Sequence, residues 1–402
     1  MSSKSDKKKS LVPRLRFPEF REAGAWEVKK ISEVFRVTRG QVLATSLISE
    51  CPSTETPYPV YSSQTKNGGL LGYYSDFLYR DSITWTTDGA NAGDVKFRKG
   101  KFYCTNVCGI LINEEGYANT FVAELLNSVT KKHVSYVGNP KLMNGVMGQI
   151  EIPLPKIEEQ QKIADCLSSL DELIRAEDAR LEALQAHKKG LMQQLFPVEG
   201  ETTPRLRFPE FRNAGPWEVK RLGDKSIAKF IRDRVPSEEI PVGHYVSTVN
   251  LLPDFGGLAT EPETPPPNNA IAYREGDILM SNIRPYLKKT WIADRSGGAS
   301  NDVLVARAGK GIKGSYLGYL LMSDRFITYV MGGAKGVKMP RGDLEQIQDF
   351  RVPVPPKPEE QQKIADCLSS LDDLIRAQGE RIEALKQHKK GLMQQLFPQE
   401  VA

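Results

Sequence analysis

The sequence predicts an α+β chain of pseudo-two-fold internal repeat: two unlike mixed α/β heads with largely antiparallel sheets, separated by two long helices that form an antiparallel coiled coil. Two duplications and a difference predict it. EEQQKIADCLSSLDELIRAEDARLEALQAHKKGLMQQLFP, Glu158 to Pro197, returns almost unchanged as Glu359 to Pro398, an offset of 201 residues (158 to 359). PRLRFPEFREAGAWEVK, Pro13 to Lys29, returns as Pro204 to Lys220, an offset of 191 (13 to 204), so the second head holds ten more residues than the first. The heads between these blocks do not match.

The predicted order is a flexible basic tail over 1–12, a first head with its leading block over 13–152, a hinge and stem over 153–197, a second head over 198–352 and a second hinge and stem over 353–402. The 402 residues are 40% hydrophobic, enough for sizeable cores, and the formal charge of +5 permits an acidic partner without establishing one. MSSKSDKKKS lacks the apolar core of a signal peptide and no later run is apolar enough to span a bilayer, so no membrane association is expected. The five cysteines form no zinc spacing or disulfide framework, which makes a reduced, cytoplasmic location the expectation.

In each leading block Phe17, Phe20 and Trp26 (Phe208, Phe211 and Trp217) read as an apolar clasp. The first head alternates β-rich runs with Gly, Asn and Asp turns: YPVYSSQTKNGGLLGYY, SITWTTDGANAGDVKFRKGKF and CTNVCGILI. The second offers HYVSTVNLLPDF, a stiff EPETPPPNN loop, EGDILMSNIRPYLKKTWIADRSGGASNDVLVAR and an apolar helix over SYLGYLLMSDRFITYVM. Proline-rich hinges, IPLPK and VPVPPKP, precede each stem, with acidic residues at the positive end of the helix dipole. Each stem carries two interleaved heptad series, Ile163, Leu170, Glu177, Leu184, Leu191 and Leu167, Ile174, Leu181, Lys188, Leu195 in the first copy, the pattern of a coiled-coil seam.

Polar side chains gather on the turns of both heads. Those of the first are Ser62, Ser63, Gln64, Lys66 and Asn67, then Thr86, Thr87 and Asn91, with Lys141 in GNPKLMNG near the hinge. Those of the second are Asn282, Arg284, Tyr286 and Lys288, then Ser300 and Asn301, with Lys335, Lys338 and Arg341 in GGAKGVKMPRGD. Amides and guanidinium groups match base edges in a major groove, and Lys and hydroxyls match phosphates. These residues are therefore the DNA-binding candidates. No phosphate-cradling P-loop, histidine-rich metal cluster or nucleophile elbow occurs, and four histidines leave little for acid–base work, so no catalytic or metal residues are assigned.

A proline-rich segment running into E-Q-Q-K-I-A, with Pro155, Glu159, Gln161 and Ala164 and again Pro356, Glu360, Gln362 and Ala365, closely resembles the specificity subunit of type I restriction–modification systems. The doubled LRFPEF…W block resembles the start of many such subunits. The resemblance implies two target-recognition domains, each reading one half of a bipartite double-stranded DNA site, spaced by an antiparallel coiled coil. It implies no catalysis and no cofactor in this chain. Two modification subunits would bring S-adenosylmethionine for adenine methylation, and restriction subunits would bring ATP- and Mg-dependent translocation and cleavage. The rival reading is a two-headed protein–protein adaptor without DNA specificity.

A direct repeat closing on itself has a pseudo-dyad, and helices related by it run antiparallel. Facing residues then have numbers of constant sum. A sum of 566 sets Glu177 opposite Lys389 and Lys188 opposite Gln378, with apolar pairs elsewhere. A sum of 559 sets Glu177 against Ile382 and Leu170 against Lys389, and stranding a charge beside aliphatics costs on the order of a few kcal/mol. The 566 register is therefore the expected one.

Overall fold

The computed structural model describes residues 11–63, 66–336 and 338–398; the tail over 1–10 and Gln64 lie outside them. The chain divides into two compact units, one of residues 1–179 with 380–402 and one of 180–379. The division falls inside both stems rather than at the hinges.

In the first unit the leading block feeds β1 (Glu27–Lys30), which pairs antiparallel with the hinge strand β8 (Glu151–Leu154), Val28 facing Pro153. The expected clasp forms in part: Trp26 is buried, its ring 5.4 Å from Phe121, which in turn lies 5.5 Å from Phe397, and Phe17 packs partly buried against the same core, whereas Phe20 is half-buried outside it. Beside it Arg16, unnoticed in the sequence, grips Glu159 with two bonds of 2.7 Å and donates a third to the Gly24 carbonyl at 2.6 Å. The head is a six-stranded sheet, with β2 (Arg36–Arg39), β7 (Cys108–Ile112), β5 (Tyr79–Thr86), β6 (Val95–Cys104), β3 (Tyr58–Tyr61) and β4 (Leu70–Tyr74) in that spatial order. Only β3 and β6 run parallel. After the short α1 (Ile31–Val34), α2 (Thr120–Val129) starts where the Asn119 side chain accepts from the Val122 N–H, and lays Phe121, Val122, Leu125 and Leu126 on the sheet residues Ile83, Trp85 and Leu111. Burying each such side chain contributes roughly 1.5–3 kcal/mol. A short α3 (Asn144–Gln149) leads back to β8.

The second unit repeats the frame around a different head. β9 (Glu218–Arg221) pairs with β18 (Arg351–Val354), Trp217 is buried, and Arg207 grips Glu360 at 2.7 and 2.8 Å. Its head has two four-stranded sheets. One holds β10 (Ala228–Phe230), β17 (Val303–Ala308), β14 (Ile278–Ser281) and β15 (Thr290–Ile292); the other holds β11 (Arg234–Pro236), β13 (Asn269–Tyr273), β16 (Gly297–Ala299) and β12 (Tyr245–Val246). The apolar run expected as one helix is two, α5 (Gly314–Leu321) and α6 (Asp324–Gly332), because Ser323 caps the second by accepting from the Phe326 N–H. A short α7 (Leu344–Asp349) precedes the hinge.

The stems are α4 (Ile157–Leu195) and α8 (Pro358–Leu396), each of 39 residues. Within each unit, the part of α4 present runs antiparallel to the part of α8 present. Their register corrects the expected one. In the first unit Lys389 Nζ bonds Asp171 at 2.7 and 2.9 Å and Glu124 of α2 at 2.8 Å, while Glu177 pairs with Arg381 at 2.9 Å. In the second Lys188 pairs with Asp372. The numbers 171/389 and 188/372 add to 560 and 177/381 to 558, which centres the pairing on 559, so Glu177 does not face Lys389 and Lys188 does not face Gln378. The seam charges are not stranded, because long side chains carry their heads out to flanking partners while their stems stay on the apolar seam. The helix ends decide the register. Leu396 and Phe397 are buried with Trp26, Ile163 and Leu167, and Leu195 and Phe196 with Trp217, Ile364 and Leu368.

Candidate nucleic-acid interface

In the first unit the central strand β5 ends in Thr86 and turns through Thr87, Asp88 and Gly89. The segment before α3 lies along that turn. Ser135 and Lys141 exchange backbone bonds of 2.8 and 2.9 Å, the Leu142 N–H donates to the Thr87 carbonyl at 2.9 Å, and the Gly89 N–H donates to the Pro140 carbonyl at 2.9 Å. From the other side the Thr87 N–H donates to the Val107 carbonyl at 3.1 Å. Trp85 locks the base of this platform, its indole N–H donating to the Leu142 carbonyl at 3.0 Å. Its ring occupies the space above Gly109, where a Cβ would lie 2.1 Å from a ring carbon.

The second unit builds the same platform from other residues. β14 ends in Ser281 and turns through Asn282, Ile283 and Arg284. Lys335 and Arg341 exchange two bonds of 2.9 Å, the Gly342 N–H donates to the Asn282 carbonyl at 3.1 Å, the Arg284 N–H to Pro340 at 2.8 Å, and the Asn282 N–H to Asp302 at 2.8 Å. The sequence singled out the turn and the glycine–lysine segment of each head separately, while the Val107 stretch was read only as part of a β-rich run. The structure joins them, three segments to a platform in each unit, with Pro140 and Pro340 at equivalent places.

Several side chains of the platforms are open to solvent. Lys141 is exposed, 3.9 Å from Asp88. Arg284 is exposed in the left-handed region at φ 50°, and Tyr286 and Lys338 are exposed as well. Arg341 pairs with Asp302 at 2.9 Å and Lys335 with Asp343 at 2.5 Å, both while largely exposed. The Lys335 amine is held above its usual range by the hydrogen bond to Asp343. Asn91 is half-buried on the turn after Asp88.

Other members of the set have different work. Thr87 is fully buried and its hydroxyl is taken by the Val107 carbonyl at 3.0 Å and Asp88 at 2.7 Å, so it holds the turn and presents nothing outward. Thr86 is buried but borders a cleft. Lys288 is drawn to Asp324 at 2.7 Å, at the start of α6. Asn282 is packed so closely that a Cβ on Gly342 would lie 2.8 Å from its Oδ1, an oxygen that is buried without a hydrogen-bond partner in the structure. Ser62 accepts from Thr105 at 3.1 Å, Ser63 is half-buried, and Asn67 is exposed at φ 50°. Lys66 has a described backbone only. Ser300 is half-buried, its hydroxyl accepting from the Asp302 N–H, and Asn301 accepts from Arg234 at 2.6 Å. Two further cations of the first unit, Lys96 and Arg98, stand at i, i+2 on β6, a spacing that puts both on one face of the strand.

Among the described residues no group of three or more His, Cys, Asp or Glu side chains is placed to hold a metal, and no helix is long and apolar enough to cross a membrane.

The family model of the type I restriction modification DNA specificity domain matches twice, over residues 24–186 and 215–387. The chain belongs to this family. Each match of the specificity domain runs from a leading block through a head into a stem. The type I restriction enzyme MjaVIII specificity subunit of Methanocaldococcus jannaschii is 25% identical over 417 residues, covering 95% of this chain and 93% of that protein. The MpnII specificity subunit of Mycoplasma pneumoniae is 34% identical over 151 residues, 37% of this chain but only 44% of that relative. A solved type I restriction–modification S subunit from M. genitalium superposes with a TM-score of 0.64 at 16% identity, over 96% of this chain and 99% of that one, which shows the shared fold. Both specificity domains thus carry a platform with one backbone design and two sets of side chains.

Proposed function

We propose that this chain is the DNA-reading subunit of a type I restriction–modification complex, each specificity domain reading one half of an asymmetric bipartite site. The observation that carries the reading is the doubled platform: the same three segments, joined by equivalent backbone bonds, display Asn91 and Lys141 in one domain and Arg284, Tyr286, Lys338 and Arg341 in the other. A fixed backbone that changes only its side chains suits two readers of different base sequences, because base edges are discriminated by which donors and acceptors face them. The exposed cations serve phosphates or guanine edges, and their carboxylate partners give way when DNA binds. Modification subunits supply S-adenosylmethionine and transfer methyl groups to adenine; restriction subunits supply ATP- and Mg-dependent cleavage. This chain chooses where they act.

The test maps methylated adenines in DNA exposed to the chain assembled with its modification subunits. One asymmetric two-part motif is expected, and exchanging residues 198–352 for the corresponding head of a relative should alter one half of it only. Methylation without a motif, or a change in both halves, overturns the reading. Sequence-dependent binding that weakens with salt separates it from a protein–protein adaptor.

A further inference from the structure

We propose that Lys96 and Arg98 of the first unit form a subsite for one phosphate group of the DNA backbone, a site that rests on the DNA-reading role above and lies next to the platform rather than on it. The two residues share one face of β6, since alternate residues of a strand point the same way. Together they border a small open cleft that Ser62, Thr84, Thr86 and the carboxylate Asp94 also line. Arg98 is fixed there: its guanidinium lies 3.8 Å over the Tyr61 ring and its Nε donates to Thr84 Oγ1 at 3.1 Å. Thr86 belongs both to this cleft and to the strand end from which the platform turn leaves.

Neither cation is in an ion pair among the described residues. The nearby carboxylates pair elsewhere, Asp94 with Lys131 and Glu124 with Lys389, and they favour the Lys96 charge less than burial and the Arg98 guanidinium oppose it. Burial lowers the pKa of both groups, and for Lys96 the neighbouring guanidinium lowers it further. Two like charges partly out of water, side by side, raise the free energy of the cleft, and a bound anion lowers it. The chemistry of the ligand follows from the charge. A guanine edge offers two acceptors to one guanidinium but no charge, so it leaves the second cation uncompensated. A phosphodiester offers a full negative charge and two oxygens, and the Ser62 hydroxyl, which accepts from Thr105 and keeps its own proton to donate, suits the same oxygens.

The experiment compares wild type, Lys96→Gln and Lys96→Arg, each as the full chain assembled with modification subunits, on a target duplex and on an unrelated one. Loss of one phosphate contact lowers the slope of log affinity against log salt by about 0.9 and weakens binding roughly fivefold at about 0.15 M salt, on both duplexes alike. Lys96→Arg should restore both, which a loss of packing would not. An unchanged slope and affinity overturn the subsite; so does a loss confined to the target sequence, which would make the contact a base contact. A second arm keeps the two readings apart: the thermal midpoint of the full chain alone is followed with added pyrophosphate. If pyrophosphate stabilises wild type but not Lys96→Gln while the complex binds no DNA, the anion subsite stands and the DNA-reading role falls.

Discussion

Replacing Arg16 by Met should destabilise the first unit by about 3 kcal/mol. The Arg16 side chain is 6% exposed and that of Glu159 1%, and their two bonds of 2.7 Å leave no room for water to take over either charge. Removing one member of a buried pair costs roughly 3–5 kcal/mol, because the other charge stays behind uncompensated. Part of this is offset: Glu159 lies in the first turn of α4, where the helix dipole favours a carboxylate by roughly 0.3–1 kcal/mol. About 3 kcal/mol remains, which corresponds to a fall in Tm of roughly 6–12 °C for a unit of this size class. The measurement is thermal unfolding of the full chain, with hydrogen exchange on β1, β8 and α2 to place the loss. The double variant Arg16→Met, Glu159→Met should recover to within about 1 kcal/mol of wild type, since a well-packed apolar pair replaces a buried ionic one at little cost. Arg207→Met should act alike through Glu360 in the second unit. A single variant within about 1 kcal/mol of wild type, or a double variant worse than the single, refutes the assignment of these arginines as the pins of the clasp.

In a background freed of native cysteines, Glu177→Cys with Ile382→Cys should cross-link within one molecule, whereas Glu177→Cys with Lys389→Cys should not; the reverse result restores the 566 register. Gly109→Ala should cost about 3 kcal/mol by driving a methyl into Trp85, at the upper end of overpacking penalties, and adding Trp85→Leu should recover part of it; a neutral Gly109→Ala would show that Trp85 is not held over that strand. The Tyr273 phenol is pushed up to about 12 by burial, from about 10 when free. The folded state therefore holds its proton more tightly, so the contribution is fully present below about pH 10 and is lost as pH rises towards 12. The ultraviolet titration difference between wild type and Tyr273→Phe should appear near pH 12, and a step near pH 10 would contradict it.

The frame of each unit was legible because it is written in repeats and periodicity. A doubled Phe17–Trp26 block, a proline hinge and a heptad run each constrain local structure on their own. The arginine pins were not legible, since Arg16 and Glu159 are 143 residues apart and neither breaks a local pattern. The platforms were half legible. Turn chemistry drew attention to Thr86–Asn91 and Asn282–Arg284, and glycine with lysine drew attention to Gly138–Gly145 and Gly332–Asp343. Which segment lies on which is a tertiary fact, stated by the bonds through Pro140 and Leu142 in one head and Pro340 and Gly342 in the other. Exposure was legible least of all: Thr87 and Lys141 look equally polar in sequence, yet one is buried under two hydrogen bonds and the other faces water.

The stem register shows why counting one face of a helix is insufficient. Seam positions alone favour the alignment that sets Glu177 against Lys389, and that choice treats every lysine in an apolar layer as a stranded charge. Lys389 spends its charge elsewhere, on Asp171 and on Glu124 of the head. Once the charged layers cost little in either alignment, the choice passes to the helix ends. There Leu396 and Phe397, with Leu195 and Phe196 in the other unit, are built into the head cores among Trp26, Phe121, Trp217 and Tyr316. Sliding a stem by one heptad would pull two large apolar side chains out of each core, at roughly 1.5–3 kcal/mol apiece. The heads therefore set the register of the stems through these buried ends, and a change that enlarged or emptied either pocket would shift the coil before any substitution in the seam did.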